Sequence, residues 1–516
     1  MAQQAADRGA LLIRRGTDTI VVDRFIRIAD TLKGSVQVKG QPRIDYLAVL
    51  DPNDGVRSLL LGIIAPDAAA DAQPAQRIRM TLQGDTVVAE TPAGVQRVPT
   101  KVGAIPMFNN ALALTELFTR RARAAGGVAD IPYFATNGGT TLTVSVRPVA
   151  ADSLTVTIAR QVERFRVDPA GRILGGIIAG SNLEFVRLGP EAAAGLNVAL
   201  RDSAIAPKPD YSAPLGAPYT AEEVRVTGPG GIVLGGTLTK PNNARGPLSA
   251  VVTITGSGQQ DRDEYVPFAG GIRLFRQVAD TLSRRGIAVL RLDDRGLGAS
   301  SGTATGATSA DFANDIRAGI AYLRSRRDID PGRIAIVGHS EGGAIAPMIA
   351  ATDQRLKAMV VMAGPGEPGI EISMAQNKYV VERDTALTPA QRDSLLRAAR
   401  ASLDPAKQTI PWIKFWMSYD PAPMARQVRA ATLILQGATD RQVSADQAEK
   451  LAALIRAGGN RDVTVRVFPS INHLFVDDPS GDFNAYDRLR TNQVSPTVLG
   501  TLADWLVARL SANTGS

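Results

Sequence analysis

Residues 333 to 346 read Arg333-Ile334-Ala335-Ile336-Val337-Gly338-His339-Ser340-Glu341-Gly342-Gly343-Ala344-Ile345-Ala346. An apolar run ends in G-x-S-x-G and continues into small, helix-forming residues, the context in which a strand, a sharp turn and a helix lift a serine hydroxyl clear of the sheet edge. A serine used this way needs a base, and the chain holds only two histidines, His339 and His473. His339 directly precedes Ser340, so on an extended strand its side chain faces the opposite way. His473 is therefore the expected base. It closes the loop Phe468-Pro469-Ser470-Ile471-Asn472-His473, after the strand-like Val463-Thr464-Val465-Arg466-Val467.

A third member lies after another apolar run, Thr432-Leu433-Ile434-Leu435, where Gln436-Gly437-Ala438-Thr439-Asp440 sets an acid just past a strand. The order Ser340, Asp440, His473 is that of α/β-hydrolases and differs from the chymotrypsin and subtilisin orders. Acyl transfer also needs donors aimed at the oxyanion. One is expected from the backbone N–H of Glu341. The other comes from the loop Thr255-Gly256-Ser257-Gly258-Gln259-Gln260-Asp261-Arg262-Asp263-Glu264, and is assigned to the Ser257 N–H, with Gly258 as its neighbour. The Glu341 side chain is read as structural, since the helix dipole favours a carboxylate in a first turn. Asp293-Asp294-Arg295-Gly296-Leu297-Gly298 reads as a buried turn with an internal ion pair. It lacks the glycine spacing and following helix of a nucleotide fingerprint.

At 516 residues the chain exceeds one ordinary core, and 44% hydrophobic with 21% charged residues is a globular composition. The net charge of +8 is dispersed among acids, which points away from a nucleic-acid groove. Cysteine is absent, so disulfides, thiolate metal sites and a cysteine nucleophile are excluded. The first half holds no histidine and no carboxylate cluster with metal-ligand spacing, and no run of eighteen apolar residues in the chain suggests a membrane span. Met1-Ala2-Gln3-Gln4-Ala5-Ala6 looks like a start placed before a mature terminus, which leads to the expectation of a periplasmic or secreted protein.

Two textures divide the chain. Residues 10–203 show short alternating segments, such as 34–39, 76–81, 142–146 and 154–158, as in antiparallel sheets with one wet face. One helix, about Phe108 to Arg123, is expected to seal a face of this accessory domain. Residues 204–218 carry Pro207, Pro209, Pro214 and Pro218 and read as a semi-rigid linker. From 219 to 516 strands and helices alternate, which predicts a mostly parallel sheet covered on both faces. Residues 365–429 interrupt that alternation as a helical cap. Its segment Pro411-Trp412-Ile413-Lys414-Phe415-Trp416 offers Trp412, Phe415 and Trp416 as candidate walls of a substrate pocket.

The stretches Gly256-Ser257-Gly258-Gln259-Gln260-Asp261-Arg262-Asp263, Arg285 to Arg291 with Asp293-Asp294-Arg295-Gly296, and Gly338 to Gly343 jointly resemble bacterial α/β-hydrolase acyl esterases. These esterases are related to the prolyl-oligopeptidase-like and dienelactone-hydrolase-like groups. The resemblance spans about residues 219 to 510 and implies hydrolysis of carboxylic esters by Ser340, Asp440 and His473. Gln259 stands where relatives carry proline, and Thr255 where a histidine often precedes the loop glycine.

The expectation is therefore a two-domain serine esterase that needs no cofactor or metal and acts on a small-molecule or polymer ester. Its oligomeric state is left open. Two rivals are a peptidase of the prolyl-oligopeptidase kind and a non-catalytic binding protein on a hydrolase scaffold. The first would bring a propeller of repeats, and none is found before residue 200.

Overall fold

The computed structural model describes residues 6–511, apart from 39–40, 65–73, 75, 92–93, 137–138, 159–160, 180, 195–209, 243, 267–268, 305, 384, 386 and 409. The expected terminus at Met1 to Ala5 and the linker prolines Pro207 and Pro209 lie outside the described residues. The chain divides into two compact units, Met1–Asp210 and Tyr211–Ser516.

In the first unit fifteen strands form one sheet. Its opening strand, Asp7–Arg15, lies inside the sheet, paired antiparallel with Asp18–Ile28 on one side and with Leu183–Leu188 on the other. From there one meander runs in sequence order to Gly94–Pro99, and the other runs back from Leu183–Leu188 to Ala129–Ala135 and Ile105–Met107. Alternation in Thr31–Val38 buries Leu32, Gly34 and Val36 and turns Lys33 outward, the pattern of a sheet with one covered face. That cover is the helix Leu112–Ala124, with Leu114, Leu117, Phe118 and Ala122 in the same core as Leu11, Phe25, Val144 and Phe165.

The helix starts four residues later than its periodicity predicts. Asn110 turns through a positive φ of 67°, and the buried Asp23 carboxylate accepts the Ala113 N–H at 2.8 Å, serving as a cap borrowed from a distant strand.

In the second unit eight strands run in the order Tyr219–Thr227, Val233–Pro241, Ala288–Leu292, Leu248–Ile254, Ile329–His339, Ala358–Met362, Ala431–Gly437, Val463–Phe468. The first hairpin is antiparallel and the six strands after it are parallel to one another, as near-continuous Val, Ile and Leu runs require. Leu274–Arg284 and Pro496–Leu510 pack on one face of the sheet, and Ser309–Ser325, Glu341–Ala350 and Gln447–Ala457 on the other. The insertion between Ala358–Met362 and Ala431–Gly437 contains the helices Gly369–Arg383, Pro389–Ser402 and Pro411–Ser418. Among the described residues no helix is long and apolar enough to cross a membrane, and no group of His, Asp or Glu is placed to hold a metal ion.

Candidate active site

The strand Ile329–His339 delivers the chain to Ser340, which stands before helix Glu341–Ala350 at φ 56° and ψ −116°. A non-glycine residue holds such a backbone only where its surroundings over-determine it. Here they do so by crowding. A Cβ on Gly338 would lie 2.1 Å from the Gly342 carbonyl oxygen, and one on Gly342 would lie 2.1 Å from that of Ile254. The Ser340 N–H is also tied to the Met362 carbonyl oxygen of the next strand at 2.9 Å.

Three of the residues singled out in the sequence meet at this turn. His473 Nε2 is 3.0 Å from Ser340 Oγ, and His473 Nδ1 is 2.7 Å from Asp440 Oδ2. A carboxylate oxygen accepts, so Nδ1 carries the proton and Nε2 is left to accept the serine hydroxyl. Asp440 is fully engaged. Its Oδ1 accepts the N–H groups of Gln442 and Val443 at 2.8 and 2.9 Å, and its Oδ2 also accepts Gln436 Nε2 at 2.9 Å. Gln436 had not been singled out, although an amide ending the buried run 432–435 signals a polar group in need of a partner.

The loop 255–264 passes beside the serine, since a Cβ on Gly256 would lie 3.3 Å from Ser340 Cβ. The Gly256 N–H is taken by Glu264 Oε1 at 2.9 Å, which leaves Ser257 and Gly258 as the candidate oxyanion donors of this loop. Two adjacent acids fasten this loop. Asp294 accepts the Thr255 hydroxyl at 3.2 Å and the Gln260 N–H at 2.8 Å, and burial pushes its carboxyl up to about 8. Asp293 accepts the Arg262 N–H and binds its guanidinium at 2.8 and 3.0 Å. The ion pair expected within 293–298 is thus not internal. Arg295 instead reaches out to Asp315, at 2.7 Å.

Glu341 does more than sit at a helix start. Its buried carboxylate accepts Ser309 Oγ at 2.6 Å and the indole N–H of Trp412 at 2.7 Å. Burial raises its pKa, against the opposing pull of these donors and of the Ser257 hydroxyl. One oxygen therefore joins the elbow to a helix of the sheet and to the cap.

The three aromatic candidates separate. Trp412 is half-buried and fixed by Glu341. Trp416 is buried, donates to Ser373 Oγ at 3.1 Å and stacks on Tyr419 with centroids 5.8 Å apart, packed in the cap's own apolar cluster. Phe415 packs at the edge of the same cluster, which also includes Ala344 and Met348 of the elbow helix. A narrow cleft runs past Gly256, Gly258, Asp294, Phe312, Glu341 and Ile345; neither Ser340 nor His473 lines it.

The second unit has the α/β-hydrolase architecture, a mostly parallel sheet with helices on both faces and a sharp strand-to-helix turn at Ser340. Residues 268–480 match the family described as Serine aminopeptidase, S33. Over 306 residues the chain is 28% identical to Esterase EstD of Thermotoga maritima, covering 58% of this chain and 70% of that protein. Among solved structures, the esterase Pf2001 of Pyrococcus furiosus aligns with 58% of this chain and 95% of its own, at 17% identity and a TM-score of 0.41. Est1E of Butyrivibrio proteoclasticus, solved with ferulic acid bound, aligns with 56% and 100%, at 16% identity and a TM-score of 0.38.

Proposed function

We propose that this protein hydrolyses carboxylic esters through an acyl-enzyme formed on Ser340. The observation that carries the proposal is the continuous chain from Ser340 Oγ through the His473 ring to Asp440 Oδ2, at 3.0 and 2.7 Å, on a turn with φ of 56°. In this reading His473 Nε2 takes the hydroxyl proton as Oγ attacks the ester carbonyl, and Asp440 holds the tautomer and steadies the imidazolium. The Ser257 and Glu341 N–H groups hold the oxyanion, the second because a helix's first N–H groups lack intrahelical partners. His473 returns the proton to the leaving alcohol, then activates the water that releases the acid.

Small or medium acyl groups are the proposed substrates, and Trp412 is the aromatic residue best placed to meet them, because it alone of the three bonds to the residue after the nucleophile. An exported location belongs to the same proposal, supported by the cysteine-free composition.

The matched family is described by an aminopeptidase, which keeps peptide hydrolysis as the second reading. Against a prolyl-oligopeptidase kind stands the first unit, whose described strands form one continuous sheet instead of blades. A panel of p-nitrophenyl esters of rising chain length, run beside aminoacyl anilides, tests the choice. Ester turnover without anilide cleavage supports the esterase. Anilide cleavage selects the peptidase, and inactivity on both without fluorophosphonate labelling returns a binding scaffold.

A further inference from the structure

His339 is the histidine the proposed chemistry does not use, yet it is buried beneath it. Its Nδ1 lies 2.7 Å from Glu264 Oε1 and its Nε2 lies 2.9 Å from the main-chain oxygen of His473. Both neighbours are oxygen acceptors. A neutral imidazole has one N–H and one lone pair, so it would set that lone pair against an oxygen, whereas an imidazolium donates from both nitrogens. The only other place for the second proton is the carboxyl, and an ordinary imidazole holds a proton about two pH units more tightly than an ordinary carboxylate.

The same Glu264 Oε1 accepts the Gly256 N–H at 2.9 Å, which joins the loop bearing the oxyanion donors to the pair. Glu264 is buried at a positive φ of 54°, and its second oxygen is buried without a hydrogen-bond partner. A residue kept in so unfavourable a place is over-determined by what it holds.

We infer that His339 and Glu264 form a buried imidazolium–carboxylate pair that positions the oxyanion loop, the end of the nucleophile strand and the base loop against one another. Through His339 Nε2 it fixes the main chain of His473, and through Glu264 Oε1 it fixes Gly256, one residue before the assigned donor. Other groups facing His339 are the His473 ring, with centroids 4.9 Å apart, the Phe475 ring at 6.0 Å, and the negative charge of Asp440. Burial lowers the basicity of His339, but the Glu264 charge, its hydrogen bond and the His473 carbonyl outweigh that and leave the pKa raised. The pair acts by positioning and touches no reacting atom, so its effect on turnover rests on the esterase reading.

The chain's two histidines make the protonation state directly readable. In the full-length protein labelled with 15N-histidine, one imidazole should show both ring nitrogens protonated at pH 7.5, and that signal should vanish in His339→Gln. Two neutral imidazoles at that pH would overturn the inference. Glu264→Gln removes the counter-charge but keeps an acceptor, and should convert His339 to the neutral form. It should also lower kcat about ten- to a hundredfold, the scale of a small misplacement, with KM within about twofold. Unchanged kcat, or a fall in thermal stability with no change in kcat, would refute the positioning role. Absence of fluorophosphonate labelling in the unsubstituted protein would instead defeat the Ser340 reading and leave the spectroscopic result standing.

Discussion

Both units bury carboxylates, and they use them differently. In the first unit Asp23 accepts a helix N–H and the Tyr46 hydroxyl, and Glu116 on the helix accepts the Ile173 N–H and the Arg187 guanidinium. Three of these bonds join the helix to the strands around it, and the Asp23–Tyr46 bond joins two of those strands. In the second unit Asp440, Glu341 and Glu264 come from three separate segments and converge on the surroundings of one turn at Ser340. Removing a polar group from water is costly unless it is fully partnered. The first arrangement holds a shape, and the second holds several loops in register around one hydroxyl.

If the convergence serves catalysis, Ser340→Ala should remove ester hydrolysis by at least about ten-thousandfold while leaving the circular dichroism unchanged. Activity within tenfold of the parent would sink the assignment. Asp440→Asn should lower kcat by about ten-thousandfold, because an amide can face Nδ1 with a donor and favour the wrong tautomer. A near-neutral result would send the search to another acid.

The first unit should respond to pH in the opposite sense from a salt-bridged protein. Burial pushes Asp23 up to about 7, against an ordinary value near 4. Between those values Asp23 binds more protons in the folded state than in the unfolded one, so its contribution to stability is fully present below about pH 4 and is lost as pH rises through 7. The Asp23 share of this loss is about 4 kcal/mol; Glu163, which burial also pushes up to about 7, adds to it in the same sense, so Asp23→Asn should shrink the loss by its own share. All three tryptophans, Trp412, Trp416 and Trp505, lie in the second unit, so a pH-dependent far-UV transition without a fluorescence change reports the first. A transition that strengthens toward pH 8 would contradict this account.

Gly342→Ala tests the crowding of the elbow. A methyl group 2.1 Å from the Ile254 carbonyl oxygen should destabilise the second unit by about 3 kcal/mol, measured by urea unfolding followed by tryptophan fluorescence. Smallest is the change at the cap. Trp412→Ala should reduce kcat/KM about tenfold or somewhat more on long-chain or aromatic esters, and hardly at all on acetyl esters. Equal losses on both would mean that the cap has misfolded.

The sequence made legible what is local or periodic. The G-x-S-x-G turn announces Ser340, with two histidines there is little choice of base, and the apolar runs mark strands that end where Asp440 and His473 begin. Alternation marked residues 34–39 as a strand, most of which falls in the observed Thr31–Val38, without saying what pairs with it, because a period of two carries no address for a partner. Contacts across long separations were equally silent. Gln436 lies beside its acid in sequence, but Glu264 meets His339 across 75 residues and Trp412 meets Glu341 across 71. On a strand His339 faces away from Ser340, but nothing local to that strand shows that its other face meets the base loop at the His473 main-chain oxygen.

The place of Asp7–Arg15 within the first sheet bears on how the chain is made. One neighbour, Asp18–Ile28, follows at once, while the other, Leu183–Leu188, leaves the ribosome about 170 residues later. At ordinary synthesis rates of 5 to 20 residues per second that edge stays unpaired for roughly 10 to 30 s. An open strand edge is a template for pairing with another chain. Nascent copies on one message should therefore be most prone to aggregate during that interval, and slowed synthesis before residue 183 should lower the soluble yield more than the same delay after residue 188.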